Sequence, residues 1–223
     1  MKRFSFAALA LLLTVSVFAA TDDWAQHGLY ASANQSLSQS PSVVFMGNSI
    51  TQMWEEAHPD FFVKHNYACR GIGGQVSSQM LARFQADVIQ LHPQVVVIMA
   101  GTNDIGLNNG YITNEHIAEN IQSMCELALF HHIQPILCSV LPVYQYPWRK
   151  ELENPAETVR QLNILLRTYA EQNNIPYMDY YSAMVDERGG LPAVYSADGV
   201  HPISAGYDLM ETLITKEIEK YLK

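Results

Sequence analysis

Val43-Val44-Phe45-Met46-Gly47-Asn48-Ser49-Ile50-Thr51 is the stretch that decides the fold. Four apolar residues stop at a glycine, and a polar segment opens the next element. A short unbroken apolar run reads as a strand covered on both faces, the habit of a parallel sheet. Gly47 allows a tight turn, which puts Ser49 at the start of a helix. There its hydroxyl faces the strand ends, and its N–H points at any anion that develops nearby.

The same grammar repeats along the chain. Tyr67–Arg70 is a second strand, closed by Gly71 and the Gly73-Gly74 pair. Val95–Ala100 is the strongest strand and stops at Gly101. Pro135–Val140 is a fourth, and Pro176-Tyr177-Met178 a short fifth. Helical periods lie between them. Met80, Leu81, Phe84 and Val88 share a face, with Ser77 as the expected cap; Ile117, Ile121, Met124 and Ala128 share another. Asn154-Pro155-Ala156-Glu157 is a helix start, with Val159, Leu162, Leu166 and Tyr169 on one side. Met210, Leu213, Ile214, Ile218 and Tyr221 form the last stripe, with Ser204 as its expected cap. Asp23 to Leu37 is read as a leading helix with Trp24 and Tyr30 inward. Strands separated by helix-length segments require right-handed crossovers and helices on both faces, so the fold class is α/β with a parallel sheet.

Composition narrows the functional classes. Hydrophobic residues make up 48% of the 223, enough for a core, which excludes wholesale disorder. The formal charge of −9 leaves no electrostatic footprint for nucleic acid or for anionic membrane surfaces. Lys2 and Arg3, the apolar run from Phe6 to Val17 and the small residues of Val17-Phe18-Ala19 read as a signal peptide over residues 1–20. Residues 21–223 are the expected mature domain, exported to the periplasm or beyond and not inserted in a membrane. No cysteine follows the run, so no lipid anchor is expected there. Cys69, Cys125 and Cys138 are widely spaced and make no metal-ligand pattern, nor do the histidines.

In an open parallel sheet the chemistry sits beyond the carboxyl ends of the strands. Ser49 follows the first strand. Gly71-Ile72-Gly73-Gly74-Gln75 follows the second, where a glycine brings a bare N–H close to a substrate. Gly101-Thr102-Asn103-Asp104 follows the third, and Asn103 offers an amide donor. Near the C-terminus stands Asp198-Gly199-Val200-His201, in which Asp198 can turn back onto one ring nitrogen of His201 and leave the other as a base. Each element alone is commonplace. The joint order of serine, two donors and an Asp–His pair is not.

That set resembles the SGNH hydrolase superfamily, the GDSL-type esterases and lipases, from Val43 to the last helix. Within it, the chain looks like the branch of platelet-activating-factor acetylhydrolase-like bacterial acylhydrolases. The resemblance implies a three-layer α/β/α, flavodoxin-like fold with five parallel strands. It implies Ser49 as nucleophile, His201 as base and Asp198 as its partner. It further implies an oxyanion hole made by the Ser49 N–H, the Gly74 N–H and the Asn103 amide, with no cofactor and no metal. Two positions depart from the family pattern: Asn48 stands where Asp is usual, and Gln75 where Asp is frequent. The expected reaction is hydrolysis of a short acyl ester, such as O-acetyl on a carbohydrate. Tyr144, Tyr146, Trp148 and Tyr195 are the expected pocket walls. Lysophospholipid or thioester hydrolysis is the enzyme alternative, and a catalytically silent flavodoxin-like binding protein the alternative of another class. The sequence leaves the oligomeric state open.

Overall fold

A computed structural model describes residues 23–222; the expected signal peptide lies outside the described residues. The strands are β1 (Val43–Gly47), β2 (Tyr67–Gly71), β3 (Val95–Ile98), β4 (Gln134–Cys138) and β5 (Tyr177–Met178). The helices are α1 (Ala31–Gln35), α2 (Ser49–Ala57), α3 (Pro59–His65), α4 (Ser77–Asp87), α5 (Thr102–Ile105), α6 (Asn114–Phe130), α7 (Pro155–Gln172), α8 (Tyr180–Met184) and α9 (Ser204–Ile218). The strands pair in parallel in the order β2-β1-β3-β4-β5. This is the three-layer α/β/α architecture expected from the sequence.

The period of two along each strand divides the core. Val44, Met46, Val96 and Ile98 face one way and pack with Met80 and Phe84 of α4, Ile121 of α6 and Leu162 of α7. Val43, Phe45, Val95 and Val97 face the other way and pack with Trp54 of α2, Phe62 of α3 and Tyr207 and Ile214 of α9. The β1–β2 register sets Gly47 beside Gly71, so both strands end at one edge. The chain passes from β1 to β2 on one side and then crosses back to β3 on the other, which makes the carboxyl end of β1 the switch point of the sheet.

Gly47 and Gly71 answer to space rather than to turn geometry. A Cβ at Gly47 would lie 2.0 Å from Thr51 Oγ1, and one at Gly71 2.2 Å from the Gln52 N. Both glycines let α2 press onto the strand ends.

Two expected caps are placed differently, and a third makes no cap bond. Ser77 is the first residue of α4, not its cap. The Asp104 carboxylate, arriving from α5, takes the Ser77 N–H at 2.9 and 3.0 Å and the Ser77 hydroxyl at 2.5 Å. Ser204 likewise opens α9, and its Oγ meets His58 instead. Asn154 does precede α7, but its side chain makes no cap bond. The leading segment is helical only over Ala31–Gln35, and Trp24 is half exposed. Tyr30 does turn inward: its hydroxyl donates to the Gly71 carbonyl at 2.5 Å, and the Arg70 guanidinium lies over its ring.

Candidate active site

The turn after β1 delivers Ser49 as the first residue of α2. Asn48 precedes it in extended geometry, and its Oδ1 accepts the Ile50 N–H at 2.9 Å. Asn48 thus performs the capping that an Asp would perform, without the charge.

Ser49 Oγ lies 3.0 Å from His201 Nε2, and His201 Nδ1 lies 2.7 Å from Asp198 Oδ2. Burial works to raise the Asp198 pKa, but hydrogen bonds from the His201 ring and from the His201 and Val200 N–H groups outweigh it and hold the carboxyl at about 2. An ionised Asp198 only accepts, so the ring proton sits on Nδ1 and Nε2 presents its lone pair to the Ser49 hydroxyl. A hydroxyl held in this way can give up its proton as it attacks an electrophilic carbon.

The second loop lies beside the serine. A Cβ at Gly73 would fall 3.9 Å from Ser49 Cβ. Gln52 of α2 accepts the Gly73 N–H at 2.8 Å and ties the loop to the helix. Gly74 has φ +76°, a conformation that favours glycine. Among the described residues, neither the Ser49 N–H nor the Gly74 N–H has a protein acceptor. Asn103 is buried, and one of its amide protons goes to the Gln75 carbonyl at 2.9 Å. An amide carries two such protons.

The proposed aromatic walls separate. Trp148 is partly exposed; its ring centre is 6.3 Å from that of His201, and its Nε1–H donates to Asn108 Oδ1. Tyr144 is exposed and lines a cleft that Asp198 also lines. Tyr146 walls no pocket: it is fully buried, with its hydroxyl 3.0 Å from Thr102 Oγ1. Tyr195 packs on the core face that carries Phe45 and Tyr207. Along the 144–148 loop Tyr146 alone is buried, and the residues on either side of it are exposed.

Sequence reading missed Arg83. Its side chain is wholly buried, and it donates to Gln75 Oε1 at 2.6 Å, Asp87 Oδ2 at 2.9 Å, the Arg70 carbonyl at 2.8 Å and the Gly47 carbonyl at 3.1 Å. One guanidinium therefore fastens the ends of β1 and β2 and the loop that follows β2. The available signal was a charged residue inside the apolar stripe of Met80, Phe84 and Val88. Ser196 was missed as well; its Oγ donates to Asp198 Oδ1 at 3.1 Å and accepts the Gly199 N–H at 2.9 Å. Among the described residues, no group of three His, Cys, Asp or Glu side chains is placed to hold a metal ion.

A parallel α/β/α sheet with a serine–histidine–aspartate chain at its carboxyl edge has the SGNH hydrolase architecture. The sequence pattern of the GDSL-like lipase/acylhydrolase family matches residues 45–209, and the chain belongs to that family of ester-bond hydrolases. A crystal structure of a GDSL-like lipase from Bacteroides thetaiotaomicron superposes with TM-score 0.88 at 46% identity, covering 90% of this chain and 100% of that one. An acetylxylan esterase of Geobacillus stearothermophilus is 26% identical over 67% of this chain and 70% of its own length. An uncharacterized lipoprotein of Bacillus subtilis is 26% identical over 54% of this chain, which spans 56% of that protein.

Proposed function

We propose that the protein is a serine esterase that removes short acyl groups, O-acetyl among them, from carbohydrate esters. The observation that carries this reading is the Ser49–His201–Asp198 hydrogen-bond chain at the sheet edge. In the proposed reaction Ser49 Oγ attacks the ester carbonyl while His201 Nε2 takes its proton. The oxyanion is met by the N–H groups of Ser49 and Gly74 and by the second amide proton of Asn103. The bond to the alcohol oxygen then breaks, and His201 returns the proton to that oxygen. Water, activated by the same ring, frees the acid from Ser49.

The carbohydrate assignment is supported by the relative that is an acetylxylan esterase and by two partly exposed aromatic rings near the site, Trp148 and Tyr144. Export is proposed from the charged and apolar N-terminal sequence, with the lipoprotein relative in keeping with it. No helix among the described residues is long and apolar enough to cross a membrane.

The test is covalent labelling by a fluorophosphonate, followed by mapping of the modified residue. Modification of Ser49, with release of acetate from acetylated xylo-oligosaccharides, is expected. A folded protein that takes no label would remove the serine-esterase reading.

A further inference from the structure

The loop after β2 supplies one of the proposed oxyanion donors, yet it has little of its own to hold it in place. Gly73 and Gly74 are both exposed and carry no side chains. Apart from chain neighbours, a Cβ built on Gly74 would meet only Asn108 Nδ2, at 3.9 Å. The Gln75 N–H closes the turn onto the Ile72 carbonyl at 3.3 Å, and of its two central residues only Gly74 has a positive φ, the type II pattern. Two adjacent glycines leave such a turn easy to deform. In the proposed reaction the Gly74 N–H must still stand at a fixed place relative to Ser49 and Asn103, because a donor stabilises the oxyanion only where the charge develops.

Two side chains from other elements supply the anchorage. Gln52 belongs to α2, the helix that opens with Ser49, and it accepts the Gly73 N–H at 2.8 Å. Asn108 stands just beyond α5, the helix that carries Asn103, and its Nδ2 donates to the Gly74 carbonyl at 3.2 Å. The Asn108 N–H donates in turn to the Asn103 carbonyl at 3.0 Å. One anchor references the turn to the nucleophile, and the other references it to the Asn103 donor.

Trp148 decides which way the Asn108 amide faces. An indole N–H can only donate, and it meets Asn108 Oδ1 at 3.0 Å, so the amide NH₂ is left for Gly74. The indole is itself held. A Cβ on Gly106 would lie 3.3 Å from its Nε1 and Cζ2, and its ring centre is 5.2 Å from that of the buried Tyr146. Asn108 is exposed, so core packing gives no reason for it.

We propose that Asn108 is the positioning residue of the oxyanion hole: oriented by Trp148, it keeps the Gly74 N–H in register with the Asn103 amide. This role rests on the esterase reading above and deepens it.

The experiment compares the wild type with Asn108→Leu, which keeps the volume and loses both side-chain bonds, with Trp148→Phe, which keeps a ring and loses the N–H, and with the double variant. Asn108→Ala is measured alongside and held to the same expectations as Asn108→Leu. The readouts are kcat and KM on phenyl acetate and the inhibition constant of trifluoroacetophenone. Ser49 Oγ adds reversibly to the carbonyl carbon of that ketone, its proton passes to His201, and the ketone oxygen becomes an oxyanion in the hole. Circular dichroism checks the fold. In Asn108→Leu kcat is expected to fall about ten- to hundredfold, less than for outright loss of a donor, with KM changed far less. The inhibition constant is expected to rise in proportion to the fall in kcat/KM, a parallel that a merely structural role would not produce. Trp148→Phe is expected to cause a smaller fall in the wild type and no further fall beside Asn108→Leu, because it acts through the same amide. Wild-type kcat in folded Asn108→Leu, a rise in KM alone, a fall in kcat with an unchanged inhibition constant, or an equal Trp148→Phe loss in both backgrounds overturns the positioning role. Any of these in an enzyme whose wild type cleaves phenyl acetate overturns that role alone. Failure of folded wild type to cleave phenyl acetate overturns the esterase reading and the role with it.

Discussion

Ser49 Oγ stands 3.0 Å from His201 Nε2, although 152 residues separate the two. The fold holds a second chain of the same type. Ser204 Oγ lies 2.8 Å from His58 Nε2, and His58 Nδ1 lies 2.7 Å from Glu211 Oε1. Residue types alone do not tell the two apart; their surroundings do. The first chain has the acceptor-free N–H groups of Ser49 and Gly74 beside it. The second joins the α2–α3 junction to the start of α9, and its Glu211 oxygen also accepts the Trp54 indole N–H.

Ser49→Ala and His201→Ala should each lower kcat on phenyl acetate by about 10⁶-fold, the scale of the corresponding losses in subtilisin. His58→Ala should lower the melting temperature and leave kcat near that of the wild type. Steady-state kinetics and thermal unfolding of the three variants check this. A collapse of kcat in a folded His58→Ala variant would move the active site to the other serine.

The pH dependence of stability should report on Asp198. Its pKa is lowered from 3.8 to about 2, so the folded state favours the carboxylate. The resulting stabilisation is complete above about pH 4 and is lost as pH falls through 2. The gap in melting temperature between wild type and Asp198→Asn should therefore be widest above pH 4 and close toward pH 2. Melting curves between pH 2 and 6 give the answer, and a gap constant across that range would contradict it.

Arg83 should act on rate as well as on stability. Arg83→Met takes the buried Asp87 carboxylate's ion-pair partner and leaves it the Asn34 amide alone, which costs about 3–5 kcal/mol. It also removes one of the two hydrogen bonds of the Gln75 side chain, in the residue whose carbonyl holds the Asn103 amide. Arg83→Met with Asp87→Leu should recover much of the stability but not the rate, with kcat reduced and KM little changed. Urea unfolding and kinetics of the single and double variants separate the two effects. Wild-type kcat in the double variant would make Arg83 purely a packing residue.

Asn48 sets the turn that carries Ser49. Asn48→Ala removes the acceptor of the Ile50 N–H and should cost about 1 kcal/mol, with a loss of kcat as the turn loosens. Asn48→Asp keeps the acceptor and should restore both. The measurement is urea unfolding together with initial rates. Failure of Asp to rescue would show that the amide, not the cap, is what this turn requires.

Thiol reagents should leave activity intact. All three cysteines are buried, and burial pushes the Cys69 and Cys125 thiols up to about 12 and the Cys138 thiol higher still. Thiolate, the reactive form, is scarce at neutral pH. Treatment with iodoacetamide under native conditions, followed by an activity assay, checks this. Rapid inactivation of folded protein would place a reactive cysteine at the site.

Much of this was legible in local sequence, because its cause is local. The strands of the sheet announce themselves as apolar runs that stop at Gly47, Gly71 and Gly101. Parallel pairing follows from the helix-length spacers between them. Ser49, Asn103 and the Asp198–His201 pair follow a strand or stand in a short motif and can be listed from local sequence, whereas choosing Gly74 within Gly71–Gln75 took the family resemblance.

Other features depend on partners distant in sequence, and no local pattern encodes those. Ser77 looks like a cap, yet it is the first residue of α4, and a carboxylate from another helix, Asp104, takes both its N–H and its hydroxyl. Tyr146 and Trp148 look alike in a list of aromatics, but the path of the loop buries one and leaves the other beside His201. Arg83 reads as an anomaly in an apolar stripe until four acceptors converge on it. Two serine–histidine–carboxylate chains close in the folded protein, and only the tertiary structure sets one at the sheet edge with free N–H groups and the other between helices. The sequence determined which groups were available; three-dimensional convergence decided which were hydrogen-bonded, desolvated and exposed.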